Sequence, residues 1–150
     1  DEVTYNLHIL LRFELERDIF EDRVEVADLP AVWNERMEQY LGIRPPDDAQ
    51  GVLQDIHWSM GGMGYFPTYT LGNLYAAQFF HQVHADLSDL DTQIEAGEFQ
   101  ALKTWLNEKI HERGSRFTAG ELCEKVTGEK LSAAYFTDYL EAKFGALYGL

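Results

Sequence analysis

The stretch GVLQDIHWSMGGMGYFPTY, residues 51–69, sets Gln54, Asp55, His57 and Trp58 ahead of a glycine-rich turn at Gly61, Gly62 and Gly64, then delivers Tyr65 and Tyr69 just before a long apolar segment. Apolar residues recur in it neither every three or four positions, as on the buried face of a helix, nor alternately, as in a half-buried strand. Its density of polar side chains suits a site carried on a loop. The same residues also suit a packed connection, in which Asp55 or His57 caps a helix and the tyrosine rings fill gaps with their hydroxyls toward solvent.

On either side of this stretch the periodicity is helical. From Asp1 to about Phe20, Val3, Leu7, Ile9, Leu10, Leu11, Phe13, Leu15 and Phe20 mix with Arg12, Glu14, Glu16, Arg17 and Asp18, which predicts a helix with a largely buried first half and a solvated second half. An apolar helix opening at residue 1 also predicts a chain entered partway through. His8 sits among apolar neighbours and is expected to be a satisfied core or interface histidine rather than a ligand. Asp28 can cap a second helix that tolerates Pro30 in its first turn and ends at Gly42. Pro45 and Pro46 then impose an extended link, with Asp47 or Asp48 starting a short turn into the central stretch.

Past Pro67 and Thr68 a third long helix is expected to run to about Leu87. Its broad band of Tyr69, Leu71, Leu74, Tyr75, Phe79, Phe80 and Val83 predicts packing on more than one side. Gly72 within it costs about 1 kcal/mol relative to alanine, which suggests a close contact or a substrate at that point. His81 and His84 share a helical face that a metal could use, but no third ligand of matching spacing lies nearby. Asp91 can cap a turn ending at Gly97, and an amphipathic helix follows through Phe99, Leu102, Trp105 and Ile110 to about Gly114. Thr118 and Glu121 fit a capping box ahead of a helix stopping at Gly128, and Ser132 can cap the last helix. No strand is expected, so the fold class is all-α.

Composition bounds the function. A chain of 150 residues fits one domain and buries about two thirds of its unfolded surface. Hydrophobic residues at 45% with 13% aromatics are globular values, and no apolar run reaches the ~20 residues of a membrane span. Asp1 and Glu2 do not open a secretory signal, and the lone Cys123 fits a reducing compartment, so cytoplasm is expected. A formal charge of −14 repels a nucleic-acid backbone. The glycines at 61, 62 and 64 lack the lysine of a phosphate loop, Ser59 stands in no nucleophile elbow, and Cys123 lies mid-helix among apolar residues. H-E-x-x-H is absent. The remaining donors are His57, Tyr65 and Tyr69, a set able to bind a carboxylate or an oxyanion.

Gly51-Val52-Leu53-Gln54-Asp55-Ile56-His57-Trp58 resembles the G-x-x-Q-D-x-H-W motif of the thermostable (Taq-type) metallocarboxypeptidase family at every fixed position. DEVTYNLHILLRFELE, DLPAVWNERMEQYLGI, GYFPTYTLGNLYAAQFF and EAKFGALYGL likewise resemble that family's C-terminal part. The resemblance implies a zincin-like helical metallopeptidase portion spanning residues 1–150. It implies a cytoplasmic, homodimeric zinc or cobalt exopeptidase that removes C-terminal residues from peptides with broad specificity. The family's metal ligands, two histidines of H-E-x-x-H and a downstream glutamate, would lie upstream of residue 1. This portion would therefore bind no metal and be inactive alone. By the same resemblance His57 contacts the scissile carbonyl or nearby peptide backbone, and Tyr65 and Tyr69 contact the oxyanion or terminal carboxylate. Asp55 would orient His57, while Gln54 and Trp58 would shape the wall. The alternative is a metal-free helical peptide-binding or interaction module.

Overall fold

The computed structural model describes residues 1–150. It contains eight α-helices and no strand: α1 (Tyr5–Phe20), α2 (Leu29–Leu41), α3 (Ile56–Ser59), α4 (Pro67–Asp86), α5 (Leu90–Glu95), α6 (Gln100–Lys109), α7 (Ala119–Thr127) and α8 (Ala134–Tyr148). Short 3-10 turns occupy Val26–Asp28, Val52–Gln54 and His111–Arg113. Where the sequence suggests one domain, the helices pack into two compact units, Asp1–Leu71 and Gly72–Leu150, with the division falling inside α4.

In the first unit, Leu11, Leu15 and Trp33 form a core joined by Leu29, Val32, Met37, Tyr40, Val52 and Trp58. Each such side chain contributes about 1.5–3 kcal/mol when fully buried. The expected burial of α1 is corrected here. The chain before Tyr5 is mostly exposed, and the buried residues run from Ile9 through Leu11, Arg12, Leu15 and Glu16 to Asp18. The charged half goes inside because each charge has a partner, as buried charges require. Arg12 meets Asp55, Asp18 meets Arg36 and Arg23, and Glu16 takes two N–H donors. Leu7, Leu10 and Phe13, on the other side of the helix, remain exposed. Pro30 lies in the first turn of α2, and Gly42 ends it at φ 68°, a conformation that favours glycine. Asp28 occupies the N-cap position without a side-chain capping bond.

In the second unit, Val83, Leu90 and Trp105 form a core with Leu87, Ile94, Leu102, Leu106, Ile110 and Val126 around it. The Trp105 indole N–H donates to Asp86 Oδ2 at 2.7 Å. Gln78, buried in α4, donates from Nε2 to Thr127 Oγ1 and the Lys130 carbonyl, and its Oε1 accepts from Ser132 N. The capping box of Thr118 and Glu121 opens α7, which ends at Gly128. Asp89 takes the N-cap position of α5 in place of Asp91, which lies in its first turn. Ser132 Oγ accepts from Ala134 N, although Ala133 is the N-cap residue of α8.

In this chain α4 is less covered than its apolar band suggests, and no protein atom approaches Gly72. Only Gln78 and Val83 of this helix are fully buried, and Leu71 and Phe80 stay exposed. At Gly72 an added Cβ would meet nothing within 4 Å, so no close contact explains the glycine.

Candidate functional site

Residues 51–69 fold around Asp55, which is buried at 5% exposure. As the N-cap of the single-turn α3, its Oδ1 accepts from His57 N at 2.9 Å and Trp58 N at 3.1 Å. Its Oδ2 accepts from Arg12 Nε at 3.0 Å. The Arg12 guanidinium lies between the rings of Trp33 and Phe66, 4.6 and 4.7 Å from their centroids, and also donates to the His8 carbonyl. Burial draws the Arg12 pKa down and the Asp55 charge opposes that shift, so the pair is held by its own complementarity.

After α3 the chain doubles back. His57 O accepts from Gly62 N at 2.7 Å and Trp58 O accepts from Gly61 N at 3.0 Å. Gly61 and Gly64 adopt φ of 74° and 78°, and a Cβ at Gly62 would meet His57 O at 3.2 Å, so this reversal needs its glycines. Tyr65 and Phe66 follow, and Thr68 Oγ1 bonds back to the Tyr65 carbonyl as α4 begins.

The reversal brings His57, Tyr65 and Tyr69 together. The His57 ring stacks on Tyr65, with centroids 5.5 Å apart and planes at 16°, and meets Tyr69 edge-on at 5.9 Å. Tyr65 and Tyr69 are 5.5 Å apart, and Phe66 closes the group 4.4 Å from His57. His57 Nε2 lies 3.4 Å from the Tyr69 hydroxyl. Its Nδ1 is buried without a hydrogen bond, 3.8 Å from Asp55 Oδ1. Because that oxygen already accepts two main-chain N–H groups, Asp55 acts on His57 through the backbone. Partial desolvation, then the nearby Tyr65 and Tyr5 phenols, raise the Tyr69 pKa, so Tyr69 is a protonated donor at neutral pH.

Gln54 and Trp58 take other directions. The exposed Gln54 amide donates to the Ala49 carbonyl. The Trp58 indole turns inward, edge-on to Trp33 at 6.0 Å, and donates to Glu16 Oε1 at 2.8 Å. Sequence reasoning passed over four participants: Arg12, Glu16, Phe66 and Tyr5. Arg12 and Glu16 stand one helical turn apart on the face that carries Leu11 and Leu15, and buried charges of that kind demand partners elsewhere in the chain. His8, near Tyr5 and Phe66, bonds through Nδ1 to the Tyr5 carbonyl oxygen, and burial lowers its pKa.

The other sequence candidates lie apart from this group. His81 packs on Tyr135, whereas His84 packs on Phe80 with Nε2 3.8 Å from Asp91 Oδ1. Cys123 is buried and burial raises its thiol pKa, which suits a core residue better than a nucleophile. No three His, Cys, Asp or Glu side chains converge to hold a metal ion.

The family model for carboxypeptidase Taq (M32) metallopeptidases matches residues 1–144. The chain belongs to the M32 family. It is 53% identical over 149 residues to thermostable carboxypeptidase 1 of Thermus thermophilus, a match covering 99% of this chain and 29% of the relative. Carboxypeptidase 1 of Bacillus subtilis is 47% identical over 148 residues, covering 99% of this chain and 30% of the relative. Among solved M32 structures, the M32 carboxypeptidase from Deinococcus radiodurans R1 superimposes with a TM-score of 0.97 at 43% identity, covering 100% of this chain and 30% of that one. The chain thus spans about 30% of the length of these M32 relatives.

Proposed function

We propose that this chain forms the peptide-gripping side of a metal-dependent carboxypeptidase cleft, with His57, Tyr65 and Tyr69 acting on the C-terminal end of a peptide. The supporting observation is the convergence of one imidazole and two phenols on a glycine-shaped loop in a chain of the M32 family. The alternative of a free-standing interaction module is less favoured, because the relatives bear the name carboxypeptidase.

In this reading His57 donates to the scissile carbonyl or the adjoining peptide backbone. Tyr65 and Tyr69 donate to the oxyanion or to the terminal carboxylate. Donors held in place before the charge develops need no reorganisation, and loss of one such donor typically costs about 10² to 10³ in rate. Asp55 holds the His57 main chain and Trp58 supports the turn from beneath, while Gln54, bonded to the Ala49 carbonyl, takes no part in the group.

In this reading the chain's own part is binding and charge stabilisation by His57, Tyr65 and Tyr69. The metal, which we propose to be zinc or cobalt, would be held by the part of the M32 relatives' length that this chain does not span. For that protein we propose broad release of C-terminal amino acids, a homodimeric state and a cytoplasmic location. The formal charge of −14 favours peptide over nucleic-acid partners. No helix is long and apolar enough to cross a membrane.

A binding experiment tests the reading. A short peptide with a free C-terminal carboxylate, titrated into the chain, should shift the NMR signals of His57, Tyr65 and Tyr69, and the same peptide ending in an amide should not. Equal shifts with both peptides, or none with either, would overturn it.

A further inference from the structure

We infer that Glu16 is a positioning residue, whose buried carboxylate clasps the two ends of the Trp58–Gly64 turn and so sets the His57–Tyr65 stack. Glu16 is 4% exposed, a depth at which a carboxylate must be hydrogen-bonded. Its Oε1 accepts from Trp58 Nε1 at 2.8 Å and its Oε2 accepts from Gly64 N at 3.0 Å. One donor immediately follows His57 in the chain and the other immediately precedes Tyr65, so a single carboxylate fixes the approach of both rings.

Packing alone does not account for a charge at this position. An apolar side chain of similar size would fill the space beneath Trp58 without desolvating an anion. What the carboxylate adds is two acceptors at a fixed separation, matched to two N–H groups whose spacing the reversal must hold. Within the turn, the bonds from Gly62 N to His57 O and from Gly61 N to Trp58 O close the loop on itself but do not tie it to α1. Glu16 ties Gly64 to that helix, and Arg12, one turn earlier, ties Asp55 to it. That Glu16 serves peptide binding rests on the reading proposed above; that it sets the turn does not.

Glu16→Gln separates this role from simple packing. Glutamine has nearly the same shape but offers one acceptor and one NH2 group, so it cannot satisfy both Trp58 Nε1 and Gly64 N. In the 150-residue chain, hydrogen exchange of the Gly64 amide should accelerate about tenfold in Glu16→Gln, while the Leu15 and Trp33 amides keep their wild-type rates. The NOE between the His57 and Tyr65 rings should weaken with it. Adding Trp58→Phe removes the competing donor, so the glutamine oxygen can turn to Gly64. The double variant should regain Gly64 protection to within about twofold of Trp58→Phe alone.

Unchanged Gly64 exchange in Glu16→Gln, or a double variant without recovery, would overturn the assignment. Should Glu16→Gln fail to fold, the unaltered chain still decides: a Gly64 amide exchanging as freely as an unstructured one would sink it. Titration with the free-carboxylate peptide adds the functional arm, with Kd for Glu16→Gln expected to rise about fivefold or more. Absence of peptide binding by the wild-type chain would count against the proposed function alone, because the exchange data judge Glu16 independently.

Discussion

Arg12 and Asp55 form the contact on which the candidate site leans most heavily, since both side chains are nearly inaccessible and each neutralises the other. Removing one member of such a pair strands the other charge in a poorly solvating interior. Arg12→Met should therefore cost about 3 kcal/mol of stability, read as a lowered urea midpoint at constant slope. The cost should fall on folding first and on the loop second, because Asp55 keeps its two main-chain donors when Arg12 is gone. The tyrosines behave differently. Both residues are exposed and neither joins the core, so Tyr65→Phe and Tyr69→Phe should leave stability nearly unchanged. In the longer peptidase each is expected to lower turnover by about tenfold or more. Unchanged steady-state kinetics for both variants would remove these residues from oxyanion stabilisation.

Among the helices, the ends were more legible than the faces. Gly42 and Gly128 at left-handed caps, Pro30 in a first turn and the Thr118–Glu121 box all appear where local chemistry demands them, because a cap depends only on its near neighbours. Asp28 and Asp91 show the limit of that logic, as several acidic residues near a helix start compete for one capping position. Faces depend on distant partners. The burial of Arg12, Glu16 and Asp18 could not be read from α1 alone, since their partners lie between Trp58 and Gly64, at Asp55 and on α2. Gly72 gives a stability test at this scale. With open space where its Cβ would lie, Gly72→Ala should raise the thermal midpoint of the chain, by up to about 1 kcal/mol in free energy. A lowered midpoint would show that something approaches the helix there after all.

For the whole molecule, the all-α class was plain from periodicity, and the family was plain from residues 51–58. The grouping of His57, Tyr65 and Tyr69 was legible as a set, because the glycines between them announce a reversal. The division into two units was not, because α4 runs through the boundary without any break in its pattern. Both units carry a carboxylate that should make them acid-sensitive. Asp18 is held below the ordinary carboxylate range chiefly by its hydrogen bond with Arg36, and Asp86 chiefly by the Trp105 N–H. A depressed folded-state pKa means stability that is complete above the unfolded value of about 3.9 and is lost as pH falls through the folded value. Denaturation midpoints should hold near neutrality and drop below about pH 4, with amide signals of both units reporting the loss. The apolar residues left uncovered along α1, Leu7, Leu10 and Phe13, predict self-association of the chain at high concentration. A strictly monomeric species by light scattering would contradict that.

The paired anchors on α1 bear on any attempt to transplant this loop. Residues 55–69 lifted onto another scaffold would bring their glycines and their rings but leave behind the arginine and glutamate that pin them from below. Engineering the motif elsewhere therefore means importing a helix with those two charges one turn apart, and selection acting on the loop must act on that helix as well.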